Sequence, residues 1–151
     1  MSENTNTEVT QETPARKTIL NDAVEAVMNL IDALSLFATI TRGALGTRSG
    51  LCCEVAPSSP TEVYLDKNQF IPLDLTINGK HEELETLSND MNMIHEALTM
   101  YRTYPSGNEW EIVDITTITE PQIIGRDENN LFIMSSNLSV KIHTKKGVIT
   151  E

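Results

Sequence analysis

The sequence predicts an α+β fold in which an antiparallel sheet of four strands or more packs against two amphipathic helices, in the order α-β-β-α-β-β. Three observations carry this reading. Apolar residues recur at helical spacing in two separate stretches, around 19–37 and 84–101. They alternate residue by residue in two others, 70–78 and 131–143. No internal repeat or second block of composition divides the rest, and 151 residues suit one domain that buries roughly 68–70% of the unfolded chain's surface.

Residues 1–16 are rich in Ser, Asn, Thr, Gln and Glu. Such an arm buries too little apolar surface to offset its ordering entropy, so it is expected to be disordered alone in solution. Order is expected over 17–143, with 144–151 as a fraying or partner-seeking tail. The first helix starts near Lys17, with Ile19, Ala23, Val27, Leu30, Leu34 and Phe37 on one face, widened by Leu20, Val24 and Ile31, and ends before Gly43. Gly43, Gly46, Ser49 and Gly50 mark a flexible connection.

Gly50–Ala56 reads as a short strand with Leu51, Cys53 and Val55 on one face, ended by Pro57-Ser58-Ser59-Pro60. Ile71, Leu73, Leu75 and Ile77 define a half-buried strand in which Pro72 hints at an edge or a strand start, and Asn78-Gly79 then reads as a turn. Leu84, Leu87, Met91, Ile94, Leu98 and Tyr101 form the second helix, with Glu82, Glu83 and Glu85 in its first turn, where the helix dipole favours negative charge. Tyr104-Pro105-Ser106-Gly107 stops it. Trp110–Ile118 and Leu131–His143 are the last strands; the second sets Phe132, Met134, Leu138, Val140 and Ile142 against Ile133, Ser135, Asn137, Ser139 and Lys141, as a sheet with one face open to solvent or a partner requires.

The 22 acidic and 11 basic residues leave a formal charge of −11, which opposes non-specific binding to nucleic acid phosphates. An aromatic content of 5% predicts an aliphatic core. Adjacent Cys52 and Cys53 are poorly placed for an unstrained disulfide, and no signal-peptide pattern or membrane-length apolar run is found, which together predict a soluble product of a reducing compartment.

No sequence pattern of zinc ligands, phosphate loop, dinucleotide fingerprint, HExxH helix or GxSxG elbow occurs, so no enzymatic activity and no cofactor or metal is expected. His81, His95 and His143 read as surface or boundary histidines, and Glu54 beside the cysteines opposes thiolate formation. Asp127 and Glu128 beside Asn129-Asn130 read as a turn rather than a calcium loop. The long connection Thr119–Asn130 carries Ile123 and Ile124 at its centre; these either tuck onto the core or insert into a neighbouring copy, with Gly125 permitting a bend and Arg126 paired to an acidic surface.

The stretch from Trp110-Glu-Ile-Val-Asp-Ile through Glu120-Pro121-Gln-Ile-Ile-Gly125-Arg126-Asp127-Glu128 to Leu131-Phe132-Ile133-Met134-Ser135 resembles the tail-terminator proteins of tailed phages, often labelled minor capsid proteins, and those of phage-tail-like bacteriocins. The resemblance covers approximately residues 17–143. It implies a virion protein of the tail, assembled in the host cytoplasm as a homohexameric ring that caps the tail tube, stops its polymerisation and offers a head-joining surface. The implied partners are further copies of the chain, the tube protein, a sheath in contractile tails and the head-tail connector.

Within that picture Pro121, Ile123, Ile124, Gly125, Arg126 and Asp127 are the expected inter-subunit contacts. Asp22, Glu25, Asp32, Glu85, Asp90 and Glu96 are candidates for lining a lumen through which DNA passes without specific binding, the alternative being a solvated outer face. The arm 1–16 and the segment 43–60 match nothing in the family pattern. Competing readings are a head-tail connector or head-completion subunit of the same particle, a generic dimeric interaction domain, and a small cytoplasmic enzyme or ligand-binding domain using scattered residues such as Cys52, Cys53, His95 and Asp127.

Overall fold

The computed structural model describes residues 16–57, 62–63 and 69–144. The expected disordered arm, up to residue 15, and the tail from Lys145 lie outside the described residues, as does most of the Pro57–Pro60 interruption. In chain order the elements are α1 (Arg16–Asp32), β1 (Ile40–Arg42), β2 (Gly50–Ala56), β3 (Glu62–Val63), β4 (Gln69–His81), α2 (Leu84–Leu98), β5 (Ser106–Gly107), β6 (Trp110–Arg126) and β7 (Phe132–Thr144). The class is α+β with two helices, as expected, but the sheet is larger and mixed. Its path is β1-β2-β4-β7-β6-β5, with β3 paired to β4 off that path.

The four long strands β2, β4, β7 and β6 each run antiparallel to the next along the sheet, which matches the expectation; β1 runs parallel to β2, which corrects it. Short strands escape a periodicity reading because two or three residues cannot establish a period. Pro72 belongs to the sheet's interior, yet at a gap: β2 pairs with β4 only from Asp74 onward and β3 only up to Phe70, so Pro72 has β7 as its strand partner on one side alone among the described residues.

One face of the sheet is covered. Ile71, Leu73, Leu75 and Ile77 from β4 and Leu138, Val140 and Ile142 from β7 meet Ile19, Ala23, Val24, Val27 and Ile31 of α1 and Leu87, Met91, Ile94 and Leu98 of α2 in one buried cluster. Each large aliphatic side chain fully buried there contributes roughly 1.5–3 kcal/mol. The other face carries Thr76, Asn78, Ser135, Asn137 and Ser139, with Thr76 Oγ1 donating to Asn137 Oδ1 at 2.8 Å.

Four local expectations change. The first helix stops at Asp32 rather than running to Phe37: the chain tightens through Leu34 N to Ile31 O at 3.0 Å and reverses at Ser35 (φ 58°). Leu34, Leu36 and Phe37 still pack on the core, from a loop. Asp32 Oδ1 accepts from the Ile40 amide at 2.9 Å and Asp90 Oδ2 from the Phe37 amide at 2.8 Å, replacing the helical bonds that this loop lacks.

Asn78-Gly79 is not a turn, because β4 continues to His81 and pairs throughout with β7. Gly79 is where α2 crosses most closely: a Cβ there would lie 2.7 Å from Leu87 Cδ1, 3.0 Å from Met91 Sδ and 3.1 Å from Leu51 Cδ2. Helix α2 begins at Leu84, so only Glu85 of the three acids lies in its first turn, and Tyr101 falls beyond its end. Val55, expected on the buried face, is exposed near the end of β2, while both cysteines are buried.

The largest change is at 119–130. Most of it is strand: β6 runs for 17 residues against 13 in β7, and the four extra residues are absorbed by four register shifts along the pair. These shifts break the alternation, so sequence period alone reads the distal half as a loop.

Candidate functional site

The distal half of β6 pairs with β7 on one side and has its other edge left uncovered by the described fold. β5 covers the outer edge of β6 only at Trp110 and Glu111, and from Val113 to Arg126 no strand lies against that edge among the described residues. Such an edge presents backbone N–H and C=O groups to any strand that approaches. It carries Ile118, Ile123 and Ile124, which are 54%, 54% and 66% exposed. Of the two readings open from sequence for Ile123 and Ile124, tucking onto the core is therefore excluded within one copy.

The turn that joins β6 to β7 is firmly built. Asp127 Oδ1 accepts from the amides of Asn129 and Leu131, both at 2.9 Å, while its Oδ2 lies 2.9 Å from Lys80 Nζ. These contacts, the Leu131 amide first and Lys80 next, hold the Asp127 carboxyl below its ordinary value. Lys80 is itself buried and also donates to Gly46 O at 2.7 Å, tying the 43–49 loop to the turn. Arg126 stacks 4.1 Å over the Phe132 ring and donates to Asn130 Oδ1 at 2.9 Å. The two charged members of the expected contact set thus have partners in their own chain, whereas Ile123 and Ile124 do not bury theirs; Pro121 sits in a bulge between Thr119 and Gln122, and Gly125 at φ 155° follows it.

At the opposite edge β1 exposes Thr41 and Arg42, whose Nη1 donates to Asn21 Oδ1 at 3.0 Å. Beside β1 lies an open depression of about 480 Å³ lined by Ala38, Thr39, Ala44, Leu45, Leu51 and Cys52 among others. Burial, reinforced by Glu54, pushes the Cys52 thiol up, and burial pushes Cys53 up to about 11. Both thiols are thus held in the unreactive form.

His95 corrects the surface or boundary reading. It is buried under α2, with Nδ1 2.8 Å from Thr117 Oγ1 on β6 and Nε2 2.6 Å from Ser136 Oγ on β7. Burial lowers its proton affinity, against an opposing pull from Glu120. A shallow depression of about 300 Å³ opens above it, lined by Asn92, Glu96, Thr99, Thr117 and Glu120. A neutral imidazole satisfied by two hydroxyls clamps α2 to the sheet. Ser136 is buried, so its hydroxyl is not presented to a substrate. His95 lies on the helix-covered face and Cys52, paired with Asn78, on the other, so the scattered residues weighed from sequence do not converge.

No protein-family model and no curated protein matches the chain. The candidate lumen acids divide by use. Asp22, Glu25, Glu85 and Glu96 are exposed, and Asp32 and Asp90 serve as hydrogen-bond acceptors for the loop after α1. Among the described residues no group of three or more His, Cys, Asp or Glu side chains is placed to hold a metal ion, and no helix is long and apolar enough to cross a membrane.

Sequence reasoning missed the β6 edge, and one signal could have found it. Pro121 in a stretch rich in Thr and Ile is what an edge strand or a bulge tolerates, by the same rule that made Pro72 informative.

Proposed function

We propose that this chain is a structural assembly subunit, and specifically a tail terminator whose copies form a hexameric ring that caps a tail tube, stops its polymerisation and offers a surface for joining the head. The observation that supports the assembly reading best is the uncovered outer edge of β6 with Ile118, Ile123 and Ile124 exposed along it. An edge of this length is an aggregation hazard for a protein that works alone, and natural proteins cover, shorten or charge such edges. The bulges and Pro121 restrict which strand can pair there, favouring one specific mate over indiscriminate stacking. The tail-terminator assignment within this reading comes from the resemblance of the 110–135 segment. The exposed acids of α1 and α2 would suit a passage for DNA if they face the lumen.

Native mass spectrometry and electron microscopy of the full chain, alone and on tail tubes from the same particle, test the proposal. A six-membered ring at the tube end is expected, and Ile123→Asp with Ile124→Asp should abolish it while leaving unfolding free energy within about 0.5 kcal/mol, as for surface substitutions. A chain that stays monomeric both in solution and on tubes would refute the reading.

A further inference from the structure

The two edges of the sheet match each other in direction, height and chemistry. Following the pairing across β1, β2, β4, β7 and β6 gives rows of side-by-side residues. One row is Ile40, Leu51, Gly79, Met134 and Ile123; the next is Thr41, Cys52, Asn78, Ser135 and Gln122. The third is Arg42, Cys53, Ile77 and Ser136, and it reaches β6 at the bulge between Gln122 and Thr119, which holds Glu120 and Pro121. β1 and β6 point in opposite directions, since β1 is parallel to β2 and three antiparallel steps separate β2 from β6.

We propose that copies join head to tail by sheet continuation, the outer edge of β6 in one copy lying antiparallel to β1 of the next so that Gln122 comes beside Thr41 and Glu120 beside Arg42. Ile123 comes level with Ile40, whose side chain is buried in its own core and whose amide is already held by Asp32, so the specificity of the join rests on the other two pairs. This rests on the assembly reading above and names its contact. The join needs no reversal of either strand: side-by-side repetition of the subunit already sets the two edges antiparallel. Within each pair both residues lie on the same face of the sheet. Ile40 and Ile123 stand in the row of Gly79, on the helix-covered face; Arg42 reaches Asn21 of α1, and Glu120 borders the depression above His95 on that same face.

The charges are complementary as well. Arg42 spends one nitrogen on Asn21 and keeps further N–H donors for a carboxylate. A two-fold join of β6 to β6 would instead bring together two strands that each carry Glu111, Asp114 and Glu120. Ile124, the bulge residue after Ile123, comes beside Ala38 and Thr39, at the rim of the depression next to β1. The pairing ends where β1 ends, at Gly43, whose φ of 117° turns the chain away. A join between two different edges repeats without closing on itself as a dimer, and so builds a ring or a filament.

Thiol cross-linking reads this contact directly. In a Cys52→Ala background, which removes the thiol next to position 41, a Thr41→Cys chain is mixed with a Gln122→Cys chain under mild oxidation. The expected result is a disulfide between the two different chains, with neither variant cross-linking to itself, and a ladder of oligomers when one chain carries both substitutions. Self-cross-linking of the Gln122→Cys chain alone would overturn the proposal in favour of a two-fold β6 contact. Arg42→Glu and Glu120→Arg should each weaken assembly about tenfold, and the two together should restore it. If the unmodified chain forms rings but no cross-link appears and neither charge reversal matters, the join is wrong and the assembly reading stands. If the unmodified chain is monomeric alone and on tubes, both fall.

Discussion

Gly79→Ala separates the observed fold from the turn that the Asn78-Gly79 dipeptide suggests. The added methyl would sit 2.7 Å from Leu87 Cδ1, 3.0 Å from Met91 Sδ and 3.1 Å from Leu51 Cδ2, and all three neighbours are buried. Gly79 has no positive φ, so an alanine is not strained by backbone conformation and the effect is steric. Overpacking of this kind costs typically about 1–3 kcal/mol, and the loss of glycine's unfolded-state freedom returns about 0.4–1. The net expectation is a destabilisation between about 0 and 2.6 kcal/mol, centred on about 1.3, a drop in melting temperature of roughly 3–5 °C at the centre.

Urea unfolding followed by circular dichroism measures it, with an unchanged slope and a lower midpoint. The double variant with Leu87→Ala adds a sharper criterion. Leu87→Ala alone should cost about 2–5 kcal/mol by leaving a cavity, and Gly79→Ala should cost little more in that background, because its methyl then occupies space that leucine vacated. A stabilising Gly79→Ala, or strictly additive effects, would refute the close crossing of α2 over β4.

Other expectations are independent of that crossing. His95 binds a proton less readily folded than unfolded, so its contribution to stability is present above its ordinary value of 6.5 and is lost as pH falls below it towards the lowered folded value. His95→Gln should cost about 1–3 kcal/mol at about pH 7.5 and flatten the loss of stability on acidification to about pH 5; unfolding midpoints with the same pH dependence in both proteins would contradict this. Cys52 and Cys53 should stay unmodified by iodoacetamide in the native chain and react on unfolding, because burial raises both thiols; rapid stoichiometric labelling of the native form would show otherwise. Lys80→Met should increase hydrogen exchange in the 43–50 loop and the 127–130 turn, since Lys80 bonds both Gly46 O and Asp127; unchanged exchange there would show that the lysine is not what joins them.

Elements with unbroken period were legible in the sequence. The alternation of Ile71, Leu73, Leu75 and Ile77, the three- and four-residue steps from Leu84 to Leu98, and the single apolar face of β7 each reflect one strip of side chains meeting one core, and the sequence repeats at the period of the backbone. Strand β2 was legible from its flanking glycine and proline. The spacing misleads at 34–37 for a related reason: Leu34 and Phe37 do reach the core, but apolar spacing reports burial and not the backbone that achieves it.

What the sequence by itself determined is the composition of the layers: two apolar helical faces, long strands with one apolar side, an acidic surface and an aliphatic core. The tertiary structure decided everything that depends on distant residues sharing a site. Gly79 is a strand residue because α2 needs close approach there; His95 is buried because hydroxyls from β6 and β7 satisfy it; and 119–126 is strand because β7 supplies its hydrogen bonds despite two breaks in period within it. Local preference is weak beside such partners, each of which lies dozens of residues away or on another element, so the identity of the uncovered β6 edge emerges only once the order of strands is known.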